Sequence, residues 1–234
     1  MGRTSRSESA SDSVVREVLR VYERYAVEVV EAFDFCPWAA GARRSGAVRP
    51  RVMLEDDPDD FSESLRSIAA LAAEREVKVA LLIYPCFLLG RRDFEHFVRR
   101  LQRADSERHA TGEIPFAMAA FHPHAEPDLG APERLVPFVR RSPDPTIQLV
   151  RHDTLESLRG NATTGTAFAD TWMMTPESFR APPEPGVRDQ IAQNNLETVQ
   201  RVGRGTLDAI FADIERDRVE AYARVGMPHA FRGA

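Results

Sequence analysis

The chain has 234 residues, 43% hydrophobic and 29% charged, with a net charge of -5. That composition supports one large globular domain and excludes wholesale disorder. The acidic balance excludes a generally basic nucleic-acid binder, and no apolar run approaches the roughly 20 residues of a membrane span.

Two cysteines, Cys36 and Cys86, make neither a disulfide framework nor a zinc-finger pattern. The polar start MGRTSRSESASDS has no apolar signal core behind it, so the expected location is cytoplasmic. Lys78 is the only lysine and lies in an apolar run, which argues against lysine-based covalent chemistry.

In chain order, Ser11–Ser13 offer a helix N-cap. Behind it Val15, Val18, Tyr22, Tyr25, Val29 and Phe33 recur at three- and four-residue steps, the period of an amphipathic helix ending near Phe33–Phe35. Ala47–Leu54 reads as a strand that Pro50 confines to an edge. The acidic EDDPDD favours the start of a helix over Phe61–Glu74. Val77–Tyr84 has the continuous apolar pattern of a buried strand. Asp93–Ala104 is a helix with Phe94, Phe97, Val98 and Leu101 on one face.

Ile114–Phe121 and Thr146–Val150 are further strands. The proline-rich stretch between them carries Leu135, Val136, Phe138 and Val139, and is expected to be ordered over the sheet. Asn161–Thr166 reads as a linker and Phe168–Met174 as a short packed element. A long helical region over Gln190–Tyr222 is softened or split at Gly203 and Gly205. The expected architecture is a single α/β domain over 13–234 behind a disordered tail at 1–12. Its mixed sheet of about four or five strands is covered by helices, with long helices at both ends.

Three elements finish in polar residues: FCPW, FHPH and LVRH. Ligands gather at strand C-termini in open α/β sheets, so His122, Arg151 and His152 are expected near one another. If Pro37 opens a short helix at WAAGARR, Cys36 caps it, and a thiol there has a lowered pKa suited to a nucleophile or a metal ligand. The alternative is a buried structural cysteine.

In an extended FHPHAEP, His122, His124 and Glu126 share one face, a plausible ligand set for Zn or Fe, although Pro123 and Pro127 interrupt the strand. Arg141 of RRSPDP is either a fork for a carboxylate or phosphate or a loop-fixing contact to backbone carbonyls. Ser142 can offer a hydroxyl. Arg151 ends a buried strand and needs a partner, an anionic ligand or a carboxylate such as Asp93, Asp153 or Glu156. Asn194 and Asn195 can reach such a site. No phosphate-binding glycine loop is present.

The ordered set FCPW, LLIYP, AAFHP, RRSPDP, QLVRH and NNLETVQRVG, spanning about Phe35 to Gly203, resembles a bacterial domain-of-unknown-function family, number 1415. Members carry a CPF-like cysteine, an FHP strand end, an RSPxP turn before a leucine-rich strand ending in Arg-Glu, and a late Arg-Asn helix. A second uncharacterised family shares the RSPxP layout. The resemblance implies a site of Cys36, Pro37, His122, Arg141, Ser142, Arg151 and Asn195. It implies no activity. This chain departs from the pattern at His124, His152, Asp144 and Asn194, and the two histidines in place of acids keep the capacity to bind metal.

The expected function is an enzyme acting on a small anionic substrate. Cys36 and His122 would be the catalytic residues, Arg141, Ser142, Arg151 and Asn195 would bind substrate, and His122, His124 and His152 would hold any metal. The alternatives are an anion-binding or redox-sensing module, and a structural or partner-binding protein. The sequence does not set the oligomeric state.

Overall fold

A computed structural model describes residues 4–109, 114–126, 135, 138–155 and 187–227. The linker and short element expected at 161–174 lie outside them. The first helix, α1, runs Thr4–Tyr25, starting ahead of the expected N-cap. It buries Val14, Val18, Val21, Tyr22 and Tyr25, the three- and four-residue recurrence that the sequence displays. The chain then continues as a π-helix, Ala26–Glu31. It stops in a Schellman turn: the Phe35 N–H donates to the Val30 carbonyl and the Asp34 N–H to that of Glu31. Asp34 takes the left-handed position at φ 52° usually given to glycine.

Next come α2 (Ala39–Arg44), β1 (Val48–Val52), α3 (Ser62–Ala73), β2 (Val79–Ile83) and α4 (Arg91–Arg108). They are followed by β3 (Phe116–Phe121) and β4 (Thr146–Arg151), then α5 (Val187–Val202) and α6 (Arg204–Arg224). The last two helices are split at Gly203, whose φ of 86° suits glycine and ends the helical run where the sequence indicates.

The fold is α/β, with a four-stranded mixed sheet in the order β1-β2-β4-β3. β1 pairs parallel with β2, and β4 lies antiparallel between β2 and β3. β1, with Pro50, is an edge as expected.

The sheet separates two apolar cores. One joins Leu81 and Ile83 to α1, α5 and α6, with Leu135 and Phe138 of the proline-rich stretch buried in it. The other joins Ala80, Leu82, Ile147 and Leu149 to α3 and α4, around the Phe97 ring, which stacks on Phe94 and meets Phe87 edge-on. Side chains alternating along β2 serve both cores, which is why its run is continuously apolar.

Candidate functional site

The antiparallel direction of β4 divides the residues that the sequence grouped. His122 follows the end of β3, and Phe121 pairs with Thr146 at the start of β4. Arg151 pairs with Phe116 at the opposite end of the same ladder, and the His152 N–H bonds the Pro115 carbonyl there. Arg151 and His152 are therefore roughly a strand length, ~15 Å or more, from His122. The expectation that they share one sheet edge with His122 is corrected by strand direction. The expected metal set divides with it, and no group of three His, Cys, Asp or Glu side chains fit to hold a metal occurs among the described residues.

Each half has its own chemistry. Arg151 donates from Nε to the Val77 carbonyl at 2.7 Å and from Nη2 to the carbonyls of Leu71, Ala72 and Glu74 at 3.2, 2.9 and 2.7 Å. These include the last carbonyls of α3, which lack partners within the helix. The guanidinium caps that C-terminus, where the helix dipole favours a cation, and lies over the Phe116 ring. Its hydrogen-bond partners among the described residues are backbone carbonyls, not the carboxylates expected.

His122 is also engaged through both ring nitrogens. Nε2–H donates to the Leu89 carbonyl at 3.0 Å, and Nδ1 accepts the His124 N–H at 3.1 Å. Only 3% exposed, it is held neutral: burial pulls its pKa down to about 4. His124 sits on the surface beyond it, its pKa lowered by partial burial and by Arg141 and Arg218.

The RRSPDP turn is held from within. The Ser142 hydroxyl donates to the Asp144 carbonyl at 2.6 Å, as does the Thr146 hydroxyl at 2.9 Å. Arg141 donates to the Pro123 carbonyl and to Asp208, both at 3.0 Å, and lies over Phe211. The Asp144 side chain accepts from Arg218 at 2.8 Å and from the Tyr222 hydroxyl at 2.5 Å. Burial opposes the charge on Arg218, but Asp144 and Glu215 outweigh it and raise its pKa. The sequence reading missed Arg218, because nothing in an amphipathic helix pattern singles out an arginine that faces inward.

Cys36 lies among the helices, after Phe35 of the first core, whereas the His122 ring is 5.9 Å from Phe94 of the second. Among the described residues no hydrogen bond joins the two. Cys36 lies just ahead of α2, its carbonyl accepts the Ala39 N–H at 3.0 Å, and the backbone N–H groups of Trp38 and Ala39 act to lower the thiol pKa, as the expected cap would. Burial nonetheless dominates and raises its pKa, opposite to the lowering expected.

Asn195 reaches this neighbourhood. It is 5% exposed and donates from Nδ2 to the Phe35 carbonyl at 3.3 Å. Between α5 and the segment leading to Cys36 is a cleft of about 700 Å³. One wall has Phe33, Asp34 and Pro37, and the other has Asn194, Asn195, Glu197, Thr198 and Arg201. Arg201 is exposed and makes no ion pair or hydrogen bond with a described residue. The π-helix and the left-handed Asp34 shape the first wall, and both features concentrate at functional sites.

Residues 17–166 match the family described as "Protein of unknown function (DUF1415)", and the chain belongs to it. Asn195 and Arg201 lie beyond the matched residues. No curated protein and no solved structure matches the chain. No helix among the described residues is long and apolar enough to cross a membrane.

Proposed function

We propose that this family member binds a small molecule carrying a carboxylate or phosphate in the cleft between α5 and the Asp34–Pro37 segment. The carrying observation is the cleft itself, of about 700 Å³ and lined by an arginine without an ion-pair partner among the described residues. That volume lies within the range of small-molecule sites, roughly 300–1,000 Å³. Arg201 offers a bidentate fork to an anionic group, and Asn194, Asn195 and Thr198 offer hydrogen bonds that fix its orientation. Asp34 on the facing wall suits a donor elsewhere on the same molecule.

Arg141 and Arg151 do not support this reading as ligand residues, since carbonyls and Asp208 engage them. Cys36 and His122 do not support it as a catalytic pair. A thiol enzyme is the second reading, favoured by the place of Cys36 beside Pro37 of the cleft, where backbone N–H groups act to lower its pKa against burial.

The test is thermal unfolding against a panel of small carboxylates and phosphates. A ligand at a hundredfold excess over Kd raises stability by about 2.7 kcal/mol. The reading expects such a rise for at least one compound, and its loss in Arg201→Ala. An equal rise in Arg201→Ala, or no rise with any compound, overturns it. Product formation that disappears in Cys36→Ala would establish the second reading.

A further inference from the structure

The two edges of the sheet are built differently. β1, VRPRV, carries Arg49, Pro50 and Arg51, the charges and proline that keep an edge from pairing with another strand. β3, FAMAAF, carries neither.

The ladder shows which groups of β3 are open. The Tyr84 N–H bonds the Pro145 carbonyl and the Arg151 N–H bonds that of Lys78, so the odd-numbered residues of β4 face β2. The His152 N–H bonds the Pro115 carbonyl, so the even-numbered residues face β3. In register, Ala117, Ala119 and Phe121 of β3 turn towards β4. Phe116, Met118 and Ala120 turn their N–H and C=O groups off the sheet, and no described residue bonds them. His122, next in that row, already donates its N–H to the Arg140 carbonyl. The open stretch is Phe116–Ala120, with Met118 at its centre.

We propose that this edge joins two copies of the chain, with β3 paired antiparallel to its equivalent about a twofold axis through Met118. In that register Phe116 exchanges hydrogen bonds with the partner subunit's Ala120, and Met118 with the partner subunit's Met118. Every open backbone group is then satisfied and none is left over. The side chains suit the same register. Phe116 lies opposite an alanine, and Ala117 faces the partner subunit's Ala119 on the other surface. Met118 meets its own equivalent, and a flexible thioether adapts to such a contact. The stretch is uncharged in a chain of net charge -5, so pairing there brings no like charges into opposition. The two four-stranded sheets become one, and the interface is the self-complementary kind that closes a dimer.

Light scattering on the full chain at micromolar concentration tests this. The expected mass is twice the 26.3 kDa of one chain. Ala119→Lys, which places a charge on the edge, is expected to give a single-chain mass with unchanged far-UV circular dichroism. Should that variant fail to fold, the double variant Ala117→Cys with Ala119→Cys decides. On oxidation it is expected to form a covalent dimer, because those residues face each other across the axis, while the parent chain with Cys36 and Cys86 does not. A single-chain mass for the parent overturns the proposal. So does a dimer that both persists in Ala119→Lys and fails to cross-link.

Discussion

The Asp144 carboxylate and the Arg218 guanidinium meet at 2.8 Å with neither side chain more than 1% exposed. The pair ties the turn before β4 to the middle of α6, across 74 residues of sequence. The Tyr222 hydroxyl closes the carboxylate's other oxygen. Removing one partner strands a buried charge. Arg218→Ala is expected to lower unfolding stability by about 3–5 kcal/mol in urea titration. Replacing Asp144 and Arg218 together by apolar residues of similar size is expected to recover much of that loss, which distinguishes a charge left unpaired from lost packing.

Arg151 predicts a different pattern. Arg151→Ala removes the guanidinium from the carbonyls at the end of α3, of which those of Leu71 and Glu74 keep a backbone N–H, a loss of about 2–4 kcal/mol in the same measurement. Arg151→Lys is expected to recover only part of it, since an ammonium cannot span four carbonyls as the planar fork does. Ligand affinity in the cleft is expected to be unchanged in Arg151→Lys at a temperature where the variant is folded.

The buried His122 makes stability depend on pH. Its folded pKa, about 4, lies below the ordinary value of 6.5, so the unfolded chain binds the proton more tightly. The contribution is fully present above pH 6.5 and is lost as pH falls towards 4, reaching no more than about 3 kcal/mol. Chemical denaturation of the parent and of His122→Gln across that interval should show a shallower pH dependence in the variant.

The Cys36 thiol, raised by burial, is expected to be protonated at neutral pH and slow to alkylate. Iodoacetamide labelling followed by peptide mass spectrometry should show Cys36 modified at least about tenfold more slowly in the folded chain than in denaturant. Fast labelling of Cys36 in the folded state would contradict the raised pKa of this half-buried thiol and strengthen the thiol-enzyme reading.

Local pattern carried most of the fold. The apolar period of α1, the continuous run of β2, the edge position forced by Pro50 and the break at Gly203 each depend on near neighbours, and each was legible. The direction of β4 depends on its partners. Nothing in TIQLVR distinguishes parallel from antiparallel, so the site assembled from strand ends came apart at that strand. Arg151 looked like a ligand residue because its four carbonyl partners belong to backbone that no residue type advertises. Arg218 and Asp144 were hidden in another way. Each sits in an unremarkable local pattern, and only the packing of α6 against the turn makes them a pair. Asn195, named both from its place in the terminal helix and from the family resemblance, does approach the Cys36 segment, since it bonds the carbonyl just before it.

The π-helix at Ala26–Glu31 gives the first wall of the cleft a phase that an α-helix would not have. A π-turn holds about one residue more than an α-turn, so the segment behaves as a one-residue insertion in an otherwise regular helix. Were the same residues to revert to α-geometry with none removed, everything after them would rotate by ~100° about the helix axis. Asp34 and Phe35 would then leave the positions that meet α5, and the Phe35 carbonyl would no longer face Asn195. The hydrogen-bond pattern of this one turn thus holds the cleft in shape without supplying any of the residues that line it.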